Sequence, residues 1–452
     1  MHLSFLTLIL VVAAFASIVA NTFKATYVDG VVDMAASAAN ATTAIISLLF
    51  IVLAIFFGFF VYRRNAPIGV STIIGVVAIA LVMWLGIKWH PIYLSYQTWM
   101  IICGIYILVA SVTPVWILLQ PRDYLSSFLL YAMLILAIVG VIGCHPTLDM
   151  PAFTGFKDTI APTGSSLGYM FPALFVTIAC GAVSGFHSLV ASGTASKQIK
   201  NEKNMLPVSF GAMLLESLLA ITALIAAGFV ATQEGLPAGT PPQLFAQAIS
   251  IFLTSLGLPE SVCYTLITLA ISAFALTSLD SVARVGRIAF QELFTDDSIA
   301  PEDQSPLNKV LTNKYFATIL TLVLCYALSR AGYASIWPLF GSANQLLSAL
   351  ALIACAVFLK KTKRQGAMLW GPMVIMLGVT FTALALKITE LVTALSGQFV
   401  FGNALQLVFA VLLLILGVIV AFEGIKKLIG KDETSENTET SDAKKSAGEV
   451  VA

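Results

Sequence analysis

The sequence carries very little charge for its length. Only 10% of its 452 residues are Asp, Glu, Lys or Arg, and 59% are hydrophobic. A soluble domain is about a quarter charged, and a chain of this size cannot hide so much apolar surface from water. The formal net charge is only +1, which gives no electrostatic reason to expect a nucleic acid as a partner. These deficits exclude an ordinary soluble domain and predict an all-α polytopic integral membrane protein that has lipid as its solvent and partner.

Signals of catalysis and of cofactor binding are also scarce. The chain has four histidines, and its six cysteines are not spaced as metal ligands. Each cysteine lies in or beside an apolar run, so we interpret all six as small packing residues. We find no hydrolase triad, and no glycine loop in a context that suits a phosphate. The sequence therefore predicts no enzyme, no metal site and no cofactor.

Long apolar runs dominate what is present. A membrane span needs about 20 apolar residues, and about twelve runs meet that criterion. The predicted spans are 3–20, 42–62, 68–87, 99–119, 125–144, 169–187, 209–231, 262–279, 315–329, 334–358, 368–388 and 403–422. The first run lacks a preceding Lys or Arg and is long for a signal peptide, so we favour a span. Residues 243–257 are shorter and contain two glutamines, which favours an interfacial or re-entrant helix.

The distribution of positive charge predicts the orientation. With twelve alternating spans, nineteen of the 24 Lys and Arg residues fall on the side that holds both termini. The positive-inside rule makes that side cytoplasmic, in the cell membrane. Residues 1–430 then form one transmembrane domain. Residues 431–452 are charged, rich in Ser and Thr and without apolar pattern, which predicts a disordered cytoplasmic tail.

Helix breakers next to polar side chains mark candidate functional positions, because unsatisfied polar groups are costly at membrane depth. Thr113 and Pro114 lie in the fourth run, where proline removes one backbone hydrogen bond. They form either an ordinary proline kink or a break that lines a substrate path. Arg122 and Asp123 follow, and we interpret them as an interfacial cap with a salt bridge.

A second break is predicted in the stretch CGAVSGFHSLVASG, which begins at Cys180. Gly181 and Gly185 are four residues apart, which favours either unwinding or tight helix packing on one face. Ser184, His187 and Ser192 add more polar side chains than packing requires. We therefore predict a substrate-binding segment, in which His187 is either an interfacial hydrogen-bond donor or a proton carrier.

The remaining candidates lie in later spans. Asp280 and Arg284 follow the eighth run four residues apart, so they form either a helix end with snorkelling arginines or a cytoplasmic gating ion pair. Asn344 and Gln345 lie inside the tenth run, after a proline and a glycine that should loosen the helix. They line a polar cavity or join helices. Glu216 lies inside the seventh run, where it is protonated, binds a cation or pairs with another span.

Several long motifs resemble those of the carbon starvation protein A (CstA) family. They include GYMFPALFVTIACGAVSGFHSLVASGTASKQIKNEKN, GAMLLESLLAI, TPVWILLQPRDYLSSFL, HPTLDMPAF, LTSLDSVARVGRIAFQELF and IWPLFGSANQLLSALALI. The resemblance covers residues from about 109 to 359. It implies an inner-membrane transporter for peptides or a small carboxylate such as pyruvate, and a fold related to the amino acid–polyamine–organocation transporters with their inverted repeats. Thr113, Pro114 and the SGFH segment would then surround a central site, with coupling to H⁺ or Na⁺.

The sequence departs from that family in two respects. Family members begin with a block that contains a GPxxGP helix, and no such motif is present here. We therefore expect a truncated, misassigned or degenerate family member, and a non-transporting sensor or partner is the alternative to a transporter. Ala195 also stands where the family pattern has a second hydroxyl, which weakens Thr194 and Ser196 as ligands. The oligomeric state is left open by the sequence.

Overall fold

The computed structural model describes residues 2–63, 67–148, 152–153, 155–156, 169–231, 239–295, 305–330, 332–364 and 367–430. The predicted disordered tail, 431–452, lies outside the described residues. The helices in chain order are α1 (His2–Phe23), α2 (Met34–Gly58), α3 (Ile68–Lys88), α4 (Tyr96–Val112), α5 (Leu119–Cys144), α6 (Phe175–Ala182), α7 (Gly185–Val190), α8 (Ser196–Gln198), α9 (Met205–Val230), α10 (Pro241–Ser255), α11 (Glu260–Glu292), α12 (Pro306–Leu311), α13 (Lys314–Ser329), α14 (Tyr333–Lys361), α15 (Trp370–Gly397) and α16 (Phe401–Ile429).

Short irregular elements connect some of these helices. Strands β1 (Tyr27–Val28) and β2 (Val31–Val32) pair antiparallel across Asp29 and Gly30, which both have positive φ as a tight hairpin turn requires. Turns of π-helix lie at Phe59–Arg63, Met170–Leu174 and Ala191–Ala195, and turns of 3₁₀-helix lie at Glu202–Asn204 and Ala367–Leu369.

The helices confirm an all-α, multi-pass membrane protein. Among the described residues, ten helical segments are long and apolar enough to cross a bilayer, and α4 and α13 are shorter apolar helices. Together they match the twelve predicted runs. The segment at 243–257 corresponds to α10, whose residues Leu244, Ala246, Ala248, Ile249, Ser250, Phe252 and Leu253 are buried. α10 packs against α5, α9 and α11, so it lies inside the bundle and not flat on a membrane surface.

Helix α1 lies in the middle of the main hydrophobic core. Sixteen of its 22 residues are buried, and it packs against α4, α11, α13 and α14. A helix that is apolar on every side is stable only when neighbours or lipid surround it completely. The first predicted span is therefore a central helix of the bundle.

Two helix ends differ from the prediction. α4 ends at Val112, and Thr113 is extended with φ −75° and ψ 145°, because the residue before a proline disfavours helical geometry. Pro114 thus follows the helix and does not kink it. α11 continues to Glu292, so the expectation that Asp280 follows the end of a span is wrong. Asp280 lies within a continuous helix of 33 residues.

Candidate functional site

The predicted unwinding after Cys180 is present. α6 ends at Ala182, and Val183 (φ −141°, ψ 103°) and Ser184 (φ −122°, ψ 129°) are extended before α7 begins at Gly185. The Ser184 hydroxyl caps α7 by accepting a hydrogen bond from the His187 backbone N–H at 3.4 Å. Two extended residues inside a membrane-spanning segment free backbone groups that a continuous helix would pair internally.

The two glycines of this segment have different surroundings. A Cβ on Gly185 would lie 2.5 Å from Leu347 Cβ and 2.8 Å from the Ser348 backbone nitrogen, so only glycine allows α7 to approach the α14 backbone this closely. A Cβ on Gly181 would lie 3.6 Å from Glu216 Oε1, at an ordinary contact distance. The interpretation that both glycines share one face of a continuous helix is therefore wrong, because the helix breaks between them.

Asn344 of α14 binds the broken helix from the other side. Its side chain is fully buried. Its Oδ1 accepts a hydrogen bond from the Phe186 N–H at 2.7 Å, and its Nδ2 lies 3.1 Å from both the Ser184 hydroxyl and the Cys180 sulfur. The Phe186 contact requires an acceptor, which fixes the orientation of the carboxamide. One side chain thus satisfies groups on both sides of the break.

The neighbouring polar candidates are arranged differently. Gln345 is also fully buried, and its Oε1 accepts from the Ser348 hydroxyl at 3.1 Å, whereas its Nε2 has no hydrogen-bond partner in the structure. The Ser192 hydroxyl donates back to the Ser188 carbonyl at 2.9 Å, so its proton is used within its own helix. The predicted loosening of α14 is not observed, because α14 is continuous through Pro338.

His187 and Glu216 form a pair between two elements. His187 Nε2 on α7 lies 3.6 Å from Glu216 Oε2 on α9, within ion-pair distance when the imidazole is protonated. Their side chains are 47% and 38% exposed. Of the three alternatives for Glu216, the structure therefore supports pairing with another span. The pair lies beside the broken helix, since Glu216 also faces Gly181.

A second group of side chains surrounds the end of α4. Pro114 has no N–H, so the Ala110 carbonyl lacks the donor that an α-helix would supply four residues later. Arg284 Nη2 replaces that donor at 3.0 Å and also bonds the Thr113 carbonyl at 2.8 Å. Arg287 Nη1 bonds the Ser111 carbonyl at 2.8 Å. The two arginines of α11 thus neutralise the negative end of the α4 dipole.

Asp280 has a partner other than the predicted one. Asp280 Oδ2 lies 2.5 Å from Arg122 Nη1, and both residues are 1% exposed. The Tyr106 hydroxyl donates to the same carboxylate oxygen at 2.8 Å and also contacts Arg122. The predicted Asp280–Arg284 pair is therefore replaced by Asp280–Arg122, and the interfacial interpretation of Arg122 is wrong. The triad ties α4, α5 and α11 together.

Sequence reasoning missed Tyr106 and the polar contact of Cys180, and it gave Arg122 a surface role. A hydroxyl in the apolar run IICGIYILVA was the one available signal for Tyr106. Among the residues that the structure describes, no group of three or more His, Cys, Asp or Glu side chains is arranged to hold a metal ion. The arrangement consists of a broken, polar helix with an acid–base pair beside it, and a separate buried ion pair.

Comparison with known proteins identifies similar sequences. A family model described as "Carbon starvation protein CstA" matches residues 1–241 and 230–383. The chain is 34% identical over 329 residues to the peptide transporter CstA of Escherichia coli (strain K12), covering 59% of this chain and 46% of that protein. It is 33% identical over 305 residues to the peptide transporter CstA of Bacillus subtilis (strain 168), covering 59% and 50%.

A third relative has a different substrate in its name. The chain is 30% identical over 438 residues to the pyruvate/proton symporter BtsT of Escherichia coli (strain K12), covering 77% of this chain and 60% of that protein. The chain thus spans about half the length of the curated relatives it matches. No solved structure matches, so an inverted-repeat architecture stays a prediction.

Proposed function

The chain belongs to the carbon starvation protein CstA family, and from that premise we propose that it forms the substrate-binding and coupling region of a secondary transporter. The substrate is a short peptide or a small carboxylate, and the driving ion is H⁺, with Na⁺ as the alternative. The observation that carries the proposal is the break at Val183–Ser184, held by Asn344 and flanked by His187 and Glu216.

The broken helix supplies the polar groups for a substrate. Discontinuous membrane helices bind polar ligands in many transporters, because their unwound backbone is not paired internally. We assign the substrate contacts to Gly181, Ser184, Ser192 and the Gln345 amide, which has no partner in the structure. Gly185 and Asn344 shape the site, Gly185 through its close packing on α14 and Asn344 by holding the break. The names of the relatives, peptide transporter and pyruvate/proton symporter, support these two substrate classes.

The His187–Glu216 pair is proposed to carry the coupling proton. An imidazole nitrogen and a carboxylate oxygen can each accept a proton, and His187 Nε2 lies 3.6 Å from Glu216 Oε2. Binding of a proton to this pair changes the charge beside the broken helix, and substrate binding can therefore be linked to protonation. A sodium ion would instead need oxygen ligands. In this pair only Glu216 can supply one from its side chain.

We assign gating to the connection between α4 and α5. Arg284 holds the carbonyl ends of Ala110 and Thr113, and Asp280 holds Arg122 at the start of α5. With both termini cytoplasmic, as the charge distribution of the sequence favours, this connection faces the cytoplasm. Separation of α11 from Thr113–Pro114 would then open an inner path from the site.

The test is uptake of labelled pyruvate and of a labelled dipeptide into proteoliposomes under an imposed inward proton gradient, with a sodium gradient as a parallel arm. We expect the wild-type chain to accumulate one of the two substrates with the proton gradient. Glu216→Gln should abolish gradient-driven accumulation while leaving exchange of substrate across the membrane. Glu390→Gln is the matched control, because Glu390 also pairs with a cation, Lys387, but is 67% exposed.

Two results would contradict the proposal in different ways. Absence of uptake under either gradient, in a monodisperse preparation, would reject transport by this chain alone. Accumulation that depends equally on the proton gradient in wild type and in Glu216→Gln would support transport by this chain. It would also show that Glu216 does not carry the coupling proton.

A further inference from the structure

Buried oxygen atoms without a hydrogen-bond partner gather around the ion pair between α5 and α11, away from the broken helix. In the described structure they are Oδ1 of Asp280, Oδ1 of Asp123 and the hydroxyl of Thr277. Asp280 itself is 1% exposed. Such atoms are rare in folded proteins, because a buried polar group without a partner lowers stability. Their concentration at one place points to a ligand that all three oxygens share.

The three side chains face one another across two packed helices. Thr277 and Asp280 are three residues apart within the continuous helix α11, so they lie on the same face. Asp123 belongs to α5, which packs against α11. Its carboxylate lies beside the Thr277 hydroxyl and close to the Asp280 carboxylate. Two carboxylates and one hydroxyl thus meet between the helices.

The positive charge at this place does not match the two carboxylates. Arg122 binds Asp280 through one carboxylate oxygen, Oδ2, to which the Tyr106 hydroxyl also donates. Arg284 lies close to Asp280, but its Nη2 donates to carbonyls at the end of α4. Among the described residues, no Lys, Arg or His lies within ion-pair distance of Asp123. Two carboxylates therefore face one guanidinium that binds only one of them, which leaves one negative charge to be neutralised.

The other helices that pack on α5 do not supply the missing charge. They are α2, α3, α9 and α10, and α2 and α10 contain no ionisable side chain. α3 contains Lys88 at its end, about 24 Å along the helix from Thr72, which bonds Tyr124 beside Asp123. The ionisable residue of α9 is Glu216, which belongs to the pair at the broken helix.

We propose that Asp123, Asp280 and Thr277 bind one monovalent cation, either a proton or Na⁺, between α5 and α11. Oxygen atoms are the ligands that hard cations prefer, and a single positive charge balances the group, whereas a divalent ion would leave an excess. A proton on Asp123 Oδ1 could be donated to the Thr277 hydroxyl oxygen. A sodium ion would instead contact all three oxygens.

This site is distinct from the His187–Glu216 pair and lies beside the connection between α4 and α5. A bound cation would attract Asp123 of α5 and Asp280 of α11 together, and its loss would leave their carboxylates to repel each other. The inference rests on the proposed function in one respect: the cation would then favour the closed state of the proposed gate. Cation binding itself is measured without transport.

The experiment is thermal unfolding of the purified chain in detergent, with Na⁺ replaced by choline at constant ionic strength. A ligand that binds the folded state raises the unfolding midpoint as its concentration increases. We expect the wild-type midpoint to rise with Na⁺ if the ligand is sodium. Asp123→Asn should lose the whole shift and Thr277→Val should reduce it several-fold. Glu390→Gln, a change of the same kind at an exposed carboxylate, should retain it.

A pH series in choline identifies a proton. The difference between the midpoints of wild type and Asp123→Asn should then grow in favour of wild type as the pH falls, because the folded wild type would bind more protons than its unfolded state. Asp123→Asn is neutral and nearly isosteric, so it should fold. Its midpoint in choline at alkaline pH should be at least that of wild type.

The remaining outcomes overturn the proposal. If neither Na⁺ nor pH separates wild type from Asp123→Asn, the two carboxylates need no ligand beyond Arg122. If Glu216→Gln removes the shift and Asp123→Asn keeps it, the cation binds at the broken helix instead. Cation-dependent stability that requires Asp123, in a chain without uptake, would keep this site and reject the proposed function. Uptake by a chain without such stability would do the reverse.

Discussion

Removal of Asp280 tests the buried ion pair most directly. Asp280→Leu leaves the Arg122 guanidinium, which is 1% exposed, buried and without its carboxylate. Breaking a buried pair at one partner costs about 3–5 kcal/mol. The Tyr106 hydroxyl also loses its acceptor at 2.8 Å, which adds about 1–3 kcal/mol. In a protein with marginal stability this is a large fraction of the free energy of unfolding.

The compensating variant separates charge burial from a general loss of packing. Arg122→Met, Asp280→Leu and Tyr106→Phe together remove every polar group of the triad, and apolar replacement of a buried pair is often neutral. We expect a lower thermal unfolding midpoint in detergent for Asp280→Leu and recovery of most of it in the triple variant. Glu390→Leu, at a pair whose carboxylate is 67% exposed, should change the free energy of unfolding by about 1 kcal/mol or less.

The reasoning is refuted by either of two results. Asp280→Leu could unfold at the same temperature as Glu390→Leu, which would mean that the triad is hydrated. The triple variant could be as unstable as the single one, which would mean that shape and not charge limits this region.

Three further changes have outcomes that follow from single contacts. Gly185→Ala should lower the yield of monodisperse protein through overpacking of about 1–3 kcal/mol, whereas Gly181→Ala, with its Cβ 3.6 Å from the nearest atom, should purify like wild type. Asn344→Leu should lower the thermal midpoint, because the partly buried Phe186 N–H loses its acceptor, which costs up to about 1–3 kcal/mol. Asn344→Asp should retain part of the stability. Arg284→Gln should speed chymotrypsin cleavage at Trp116, which is 37% exposed, because the end of α4 loses two hydrogen bonds. Unchanged cleavage would show that α11 does not hold the connection between α4 and α5.

Properties that depend on local sequence were predictable. The run 68–87 corresponds to α3 (Ile68–Lys88), and the fifth run ends at Cys144 as α5 does. Length and hydropathy predict such spans because lipid offers no hydrogen bonds. A single segment inside it can pair its backbone groups only by forming a helix. The break after Ala182 was also predictable, since glycine and serine in GAVSG weaken a helix locally.

Partners across the bundle were not predictable from one sequence. Asn344 lies 160 residues from Ser184 in the sequence. No pattern in either segment predicts that the two side chains are in contact. Packing of Gly181 and Gly185 on one face was one of two alternatives for this segment. It assumes a continuous helix, and the break between the two glycines excludes it.

The largest error came from applying a local rule to a charged residue. Asp280 and Arg284 are four apart, which favours a pair on one helix face. Asp280 is buried among α4, α5 and α11, however, and Arg122 reaches it from another helix, while Arg284 points to the carbonyls of α4. The charged residues after 279 also looked like a helix end, although α11 uses them to bind its neighbours.

The arginine contacts at the end of α4 have a mechanical consequence. The last carbonyls of α4 take donors from α11, so the two helices share hydrogen bonds that normally belong to one helix. Sliding α11 along its axis would break all three at once, whereas tilting α4 and α11 together would break none. α4 and α11 should therefore move as one unit while these bonds hold, so the proposed opening at Thr113–Pro114 requires the contacts of both guanidinium groups to break.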